Sequence, residues 1–348
     1  MLNRIIRIAA ALACYSLLQG CSMQLDRPAE PEAIGFSAGQ SLLREDATKS
    51  DLLKDDFLED DFFFVYGSKT ISSSHRTVFR GDAVSVDGSN HWDYAPHRFW
   101  DFSSERYDFL AFSGPSTSST ISCNPAAEGA LSALVSYDPV DAQYDLMAAC
   151  KRRIVTSGQT DPVDLLFYHM LSAVSVTIIN DSPAAVPITL NSYKFQNLCT
   201  QGTATVSQND DTPVIPGVWN DMSYNTNLVL GHDFGGNVIV NGGGTRVPSP
   251  KTDLMIPQEF GLSLTYIPRL VLDYSYKEAP DAEPTRVVTG IRLEEIKAVA
   301  DDQYIVKWLP GVRYTYEVHI RMGGGLRVSV TVAPWEEIHA ETPGVTIK

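Results

Sequence analysis

The chain has 348 residues, 42 acidic against 27 basic side chains, and a formal net charge of −15. That charge excludes nucleic acid and anionic lipid surfaces as partners held by electrostatics. Hydrophobic residues at 44% and charged residues at 20% describe a globular chain, not a disordered one, with length for about two domains.

In chain order, residues 1–20 carry Arg4 and Arg7, then an apolar run from Ile8 to Leu17, then Leu18-Gln19-Gly20 immediately before Cys21. A basic start, a short apolar stretch and a small-residue cleavage site form an export signal. The apolar run is too short to remain as a membrane-spanning helix. Leu-x-Gly-Cys resembles the bacterial lipobox. It implies a diacylglycerol on the Cys21 sulfur, cleavage before that residue, and a membrane anchor worth about 0.8 kcal/mol per buried methylene. An ordinary secretory signal with a chance cysteine is the alternative. Removal of Arg4 and Arg7 would take the charge from −15 to −17. Residues 21–33 are polar and proline-containing, and read as a flexible tether.

Ile34-Gly35-Phe36-Ser37-Ala38-Gly39 is the first strand-like piece. Residues 41–61 follow as a charged stretch containing Arg44, Lys49 and Lys54, an exposed loop open to proteases. From Phe62 the pattern is β. Phe62–Tyr66 is aromatic and β-branched, Gly81-Asp82 signals a turn, and Tyr107 to Phe112 is mixed aromatic and aliphatic. A helix is the expectation near Glu128 to Val135, and Tyr137 to Cys150 reads as loop or short helix. Residues 156–163 read as a linker. Asp164 to Ser172 and Val174 to Ile178 follow as strand, then Pro187 to Tyr193. Residues 200–227, rich in Asp, Asn, Thr and Pro, read mostly as loop, and the glycines at 235–236 and 242–244 as turns. Tyr314 to Met322 alternates cleanly, and Arg327 to Val332 returns from Gly323-Gly324-Gly325 as a terminal hairpin. The expected organisation is a signal (1–20), a tether (21–33), an N-terminal β-sandwich (34–160), a C-terminal β-sandwich (161–335) and a tail (336–348).

Signs of catalysis are weak. The seven histidines show no zinc-protease spacing, and there is no Gly-x-Ser-x-Gly elbow or phosphate loop. His91 and His97 lie near Asp93 and Asp101, either as a metal site or as polar residues in an aromatic loop. Asp55-Asp56 and Glu59-Asp60-Asp61 lack the oxygen spacing of a calcium loop and read as a solvated acidic run. His169 sits in an apolar strand as a core histidine. The expectation is no catalytic residues, no metal and no cofactor. Cys123, Cys150 and Cys199 remain in the body, enough for at most one disulfide, with three buried thiols as the alternative. Trp92, Tyr94, Phe99 and Trp100 are clustered, either as core or as an exposed sugar-stacking platform. The platform would make the chain a glycan-binding surface lipoprotein.

A series of pieces resembles the fimbrillin family of Bacteroidales, the subunits of type V pili. These are the lipobox at Cys21, Ile34-Gly35-Phe36-Ser37 followed by a basic residue and Thr48-Lys49-Ser50, Phe64-Val65-Tyr66-Gly67, Val78-Phe79, Trp92-Asp93-Tyr94, and Arg98-Phe99-Trp100. Tyr107 to Phe112, Asp164 to Val174 (with Ala173 where the family usually has lysine), Leu254 to Gln258, and Trp308 to Tyr316 complete the order. The resemblance implies an all-β fold of two tandem antiparallel β-sandwich domains of transthyretin-like or Greek-key type. It implies a structural, non-enzymatic subunit or tip or anchor protein of a fimbrium, with a role in adhesion. Its place would be the outer membrane by lipid, then the cell surface. The implied partners are other fimbrial subunits, the outer membrane, a trypsin-like processing protease and a host or bacterial surface receptor, without nucleic acid. It further implies cleavage after Arg44 or Lys49, removal of the strand carrying Ile34 and Phe36, and refilling by a donor strand. In this chain the donor would be the tail with Val345 and Ile347.

Overall fold

The computed structural model describes residues 32–38, 62–86, 91–113, 119–126, 130–138, 145–224, 230–261, 266–279, 281–322 and 326–335. Among them the fold is all β, with 23 strands in five sheets and one short 3-10 turn at Leu293–Glu295.

The first large sheet contains β2 (Phe62–Ile71), β3 (Ser74–Val86), β4 (Trp92–Asp93), β5 (Arg106–Ser113), β8 (Met147–Ile154) and β10 (Tyr168–His169), in the order β10-β8-β5-β2-β3-β4. Its centre, β5, is buried on both faces. Tyr107, Phe109 and Ala111 enter one core and Leu110 and Phe112 enter another, which explains a strand without clean alternation. Asp108 shares the second face and is fully buried. Its carboxylate accepts from Arg106 Nε at 2.9 Å and Arg152 Nε at 2.7 Å, and Arg152 also pairs with Asp210.

The β2–β3 hairpin turns at Ser72-Ser73, both at positive φ (47° and 66°), as a type I′ turn requires. The turn expected at Gly81-Asp82 is instead a bulge inside β3. Val65 faces Asp82 and Tyr66 faces Arg80, so Gly81 is the extra residue, at φ +90°.

The first core is closed on its other side by β1 (Phe36–Ala38), paired with β9 (Val163–Leu165). The far face of the first sheet is covered by β6 (Ser119–Cys123), β7 (Ser132–Tyr137), β13 (Gln201–Asn209), β14 (Thr212–Val214) and β15 (Asn220–Ser223). This sheet joins strands from before and after residue 160 through β7 and β13. It corrects two expectations. The segment expected as helix near 128–135 ends in strand β7, and the segment expected as loop from 200 holds β13–β15. In β13, Gly202, Ala204, Val206 and Gln208 are buried. The period of two is present but carried by small and polar residues, which hides it from a hydrophobicity reading.

The remaining strands form a sandwich. One sheet holds β11 (Ser172–Asn180), β17 (Thr245–Pro248), β18 (Asp253–Met255), β21 (Lys297–Ala298), β22 (Val312–Ile320) and β23 (Arg327–Pro334). The facing sheet holds β12 (Ile188–Gln196), β16 (Gly231–Val240), β19 (Arg269–Tyr276) and β20 (Thr285–Arg292). Inward residues alternate as expected in β22, where Tyr314, Tyr316, Val318 and Ile320 are buried. Trp308 is fully buried between the sheets and donates from Nε1 to Tyr316 Oη at 2.9 Å. Most pairs are antiparallel, while β1–β9, β11–β22 and β21–β23 are parallel. Gly235 and Gly236 lie in a bulge of β16 instead of a turn, whereas Gly242–Gly244 does separate β16 from β17. The three body cysteines are free thiols.

Candidate functional site

The leading strand is the feature on which sequence and structure converge. Ile34 is fully buried, Phe36 is 5% exposed and Ala38 is 6% exposed. Gly35 and Ser37 point the other way and are half-buried, so the strand presents one apolar edge with a period of two. The Phe36 ring meets four others nearly edge-on: Phe79 at 5.4 Å, Tyr94 at 5.7 Å, Phe109 at 5.8 Å and Phe63 at 6.1 Å. That arrangement sets the positive ring edge against the negative face of its neighbours.

The backbone of the segment is gripped on both sides. On one side, Ile34 N donates to Arg98 O at 2.8 Å and Trp100 N donates to Glu32 O at 3.0 Å, and Tyr94 Oη donates to Ile34 O at 2.8 Å. On the other, Val163 N donates to Gly35 O at 2.8 Å, and the parallel register runs Phe36–Val163, Ser37–Asp164, Ala38–Leu165. Ser37 Oγ donates to Asp164 Oδ1 at 3.2 Å. The loop holding the first side is itself fixed. Arg98 donates from Nε to Val78 O at 3.2 Å and from Nη1 to Pro96 O at 2.7 Å, and it pairs with Asp82. Burial pushes the Tyr94 phenol upward, so it stays a donor.

Two partners of this strand escape a sequence reading. Val163 falls at the end of a segment expected as linker, yet it is buried and pairs with β1. Arg98 reads as an isolated basic residue. The available signal is the apolar alternation Val163, Leu165, Phe167, all three buried in the first core.

The other expectations separate cleanly. Cys21, Arg44, Lys49, Val345 and Ile347 lie outside the described residues. Trp100 is 7% exposed, meets Tyr107 edge-on at 4.9 Å and lies under the Arg153 guanidinium at 4.6 Å. Trp92 is half-buried and tilts onto Phe63 at 4.9 Å. These rings line a core and form no open sugar platform. His97 pairs with Asp93 at 2.8 Å, whereas Asp101 pairs with Lys69 at 2.7 Å. Hydrogen bonds from Lys69 and Ser103 lower the Asp101 carboxyl to about 2. Among the described residues no three His, Cys, Asp or Glu side chains are placed to hold a metal ion. His169 Nδ1 lies 2.8 Å from Asp145 Oδ2, and its ring stacks on Trp335 at 4.0 Å, a packed position near the end of the described chain.

The solved structures similar to this chain include a candidate cell adhesion protein of Bacteroides uniformis, at 13% identity and a TM-score of 0.43, covering 88% of this chain and 98% of that one. The tip fimbrial protein Mfa3 of Porphyromonas gingivalis, with a C-terminal truncation, is 8% identical with a TM-score of 0.40, covering 87% and 98%. A candidate polysaccharide-binding protein of Bacteroides thetaiotaomicron is 11% identical with a TM-score of 0.39, covering 89% and 98%. No curated protein matches. The sequence profile of the fimbrillin-like family matches residues 48–335, most of the length, and the chain therefore belongs to the fimbrillin-like family.

Proposed function

We propose that this protein is a structural, non-catalytic subunit or accessory tip or anchor component of a type V fimbria, and that the segment Ile34–Ala38 is a removable plug. One observation carries the reading. A very short strand, with three residues of sheet pairing, fills the first core with Ile34 and an aromatic side chain enclosed by four rings. Full burial of such side chains contributes about 1.5–3 kcal/mol each, so the plug is worth on the order of 5 kcal/mol. That is comparable to the whole stability of many domains. Its loss leaves an apolar slot bordered by the unpaired groups of Arg98, Trp100 and Val163, a receptor for a strand from another chain.

In this reading Cys21 carries the lipid and holds the protein at the outer membrane. A trypsin-like protease then cuts after Arg44 or Lys49, the plug departs, and a strand from a further subunit takes its place. The tail with Val345 and Ile347 is this chain's own candidate donor.

The test is limited trypsin digestion of the Cys21→Ser chain, followed by gel filtration. Loss of residues up to Lys49 converts monomer into multimers, and a peptide of sequence Ala-Ile-Gly-Phe-Ser-Ala-Gly added during digestion blocks the conversion. A monomer of unchanged size after mass spectrometry has shown Ile34–Ala38 to be gone refutes the proposal.

A further inference from the structure

A second site lies in the C-terminal sandwich, well removed from the plug. Strand β11 begins where the two halves meet, with Gly311 N donating to Leu171 O. It runs to Asn180, about 26 Å at roughly 3.3 Å per residue. At that distal end three chain reversals converge. Gly243 N donates to Ser182 O at 2.7 Å, Gly244 N to Asn180 O at 2.8 Å and Asp181 N to Ile320 O at 2.9 Å, while Met322 N donates to Ser182 Oγ at 2.9 Å. They frame a cleft of about 640 Å³ lined by Asp181, Gly243, Gly244, His319, Arg321 and Arg327.

The lining charge is unusual for so acidic a molecule. Asp181 Oδ2 is occupied by His319 Nδ1 at 2.9 Å and lies 3.7 Å from Arg327. Arg321 pairs with no carboxylate among the described residues. The wall thus holds two guanidinium groups against one committed carboxylate. A guanidinium binds a carboxylate through two parallel N–H donors, stronger and more directional than a neutral contact.

We propose that this cleft recognises the carboxylate of an acidic sugar. Its volume falls in the range of small-ligand pockets. No aliphatic or aromatic side chain lines it, so it suits a hydroxylated ligand better than a peptide terminus, which would need an apolar wall. Asp181 and the net charge of −15 oppose a polyanion, which leaves one carboxylate flanked by hydroxyls that Asp181 can accept from. The site stands independently of strand exchange.

The test titrates the full chain carrying Cys21→Ser with sodium glucuronate and 3′-sialyllactose. Glucose, lactose, sodium acetate and a C-terminal tripeptide serve as comparisons, with amide chemical shifts as the readout. Saturable binding of an acidic sugar is expected, weakened about tenfold or more by Arg321→Ala and by Arg327→Ala, and unchanged by Arg76→Ala on the exposed β3 surface. Absence of saturable binding by either acidic sugar overturns the proposal, as does wild-type affinity in both cleft variants. Acetate binding as tightly as the sugars, or tighter binding of the tripeptide, also overturns it.

Discussion

Replacing Phe36 by alanine tests whether the leading strand is packed in solution as it is in the fold. Phe36 is 5% exposed and ringed by Phe63, Phe79, Tyr94 and Phe109. An aromatic side chain buries about 150–250 Å², which at about 25 cal/mol per Å² corresponds to about 4–6 kcal/mol. Measured Phe→Ala substitutions in cores cost about 3–5 kcal/mol, and the lower range is the better guide because the unfolded chain is already partly collapsed. The expected loss is therefore about 3–4 kcal/mol in urea unfolding of the Cys21→Ser chain, followed by tryptophan fluorescence. Trp92 and Trp100 border the slot and report it directly. Hydrogen exchange at Val163, whose N–H donates to Gly35 O, should accelerate in the same variant. A loss under about 1 kcal/mol, the scale of an ordinary surface change, with Val163 protection unchanged, would refute the packing argument.

Further expectations follow from other parts of the molecule. Cys21→Ser should release the protein from membranes, and continued incorporation of a palmitate analogue by that variant would contradict lipidation. Arg152→Met removes one of two cations from the fully buried Asp108 and should cost about 3 kcal/mol, read by thermal or urea unfolding; a cost near zero would show that Arg106 alone satisfies the carboxylate. Asp101 has its carboxyl lowered to about 2 by Lys69 and Ser103, so its contribution is present above about pH 4 and fades between about pH 4 and 2. Asp101→Asn should flatten stability across that window, and an unchanged pH profile would count against the Lys69 pairing. Burial pushes the Cys150 thiol up to about 12 and the Cys123 thiol up to about 11. Peptide-resolved alkylation at pH 8 should therefore modify Cys150 only after denaturation, and rapid native labelling would sink this.

The parts of the fold legible in the residues were those where one face is buried and the other wet. The β22–β23 hairpin alternates openly, and Ile34, Phe36 and Ala38 mark the leading strand. Legibility failed where burial is two-sided or achieved with small polar residues. Tyr107 to Phe112 is buried throughout because β5 separates two cores, and β13 hides its period behind Gly202, Ala204 and Gln208. The Ser72-Ser73 turn carries none of the usual Asn-Gly chemistry. The pairings of β1 with β9 and of β7 with β13 join segments far apart in sequence, which local pattern cannot disclose. The plug's two buried anchors could be named from the residues, whereas Tyr94, Arg98 and Val163, which hold its backbone, required the fold. The distal cleft had no sequence signal, because it is assembled by three separate reversals.

The direction of β1 along β9 sets a rule for any replacement. Parallel pairing lets a strand enter in one orientation only, so the giving and receiving ends of each link are different surfaces. A contact of this heterologous kind need not close on itself. Growth by such links would be a one-way process with two unlike ends, and it would stop only when a member arrives that offers a slot but no strand, or a strand but no slot.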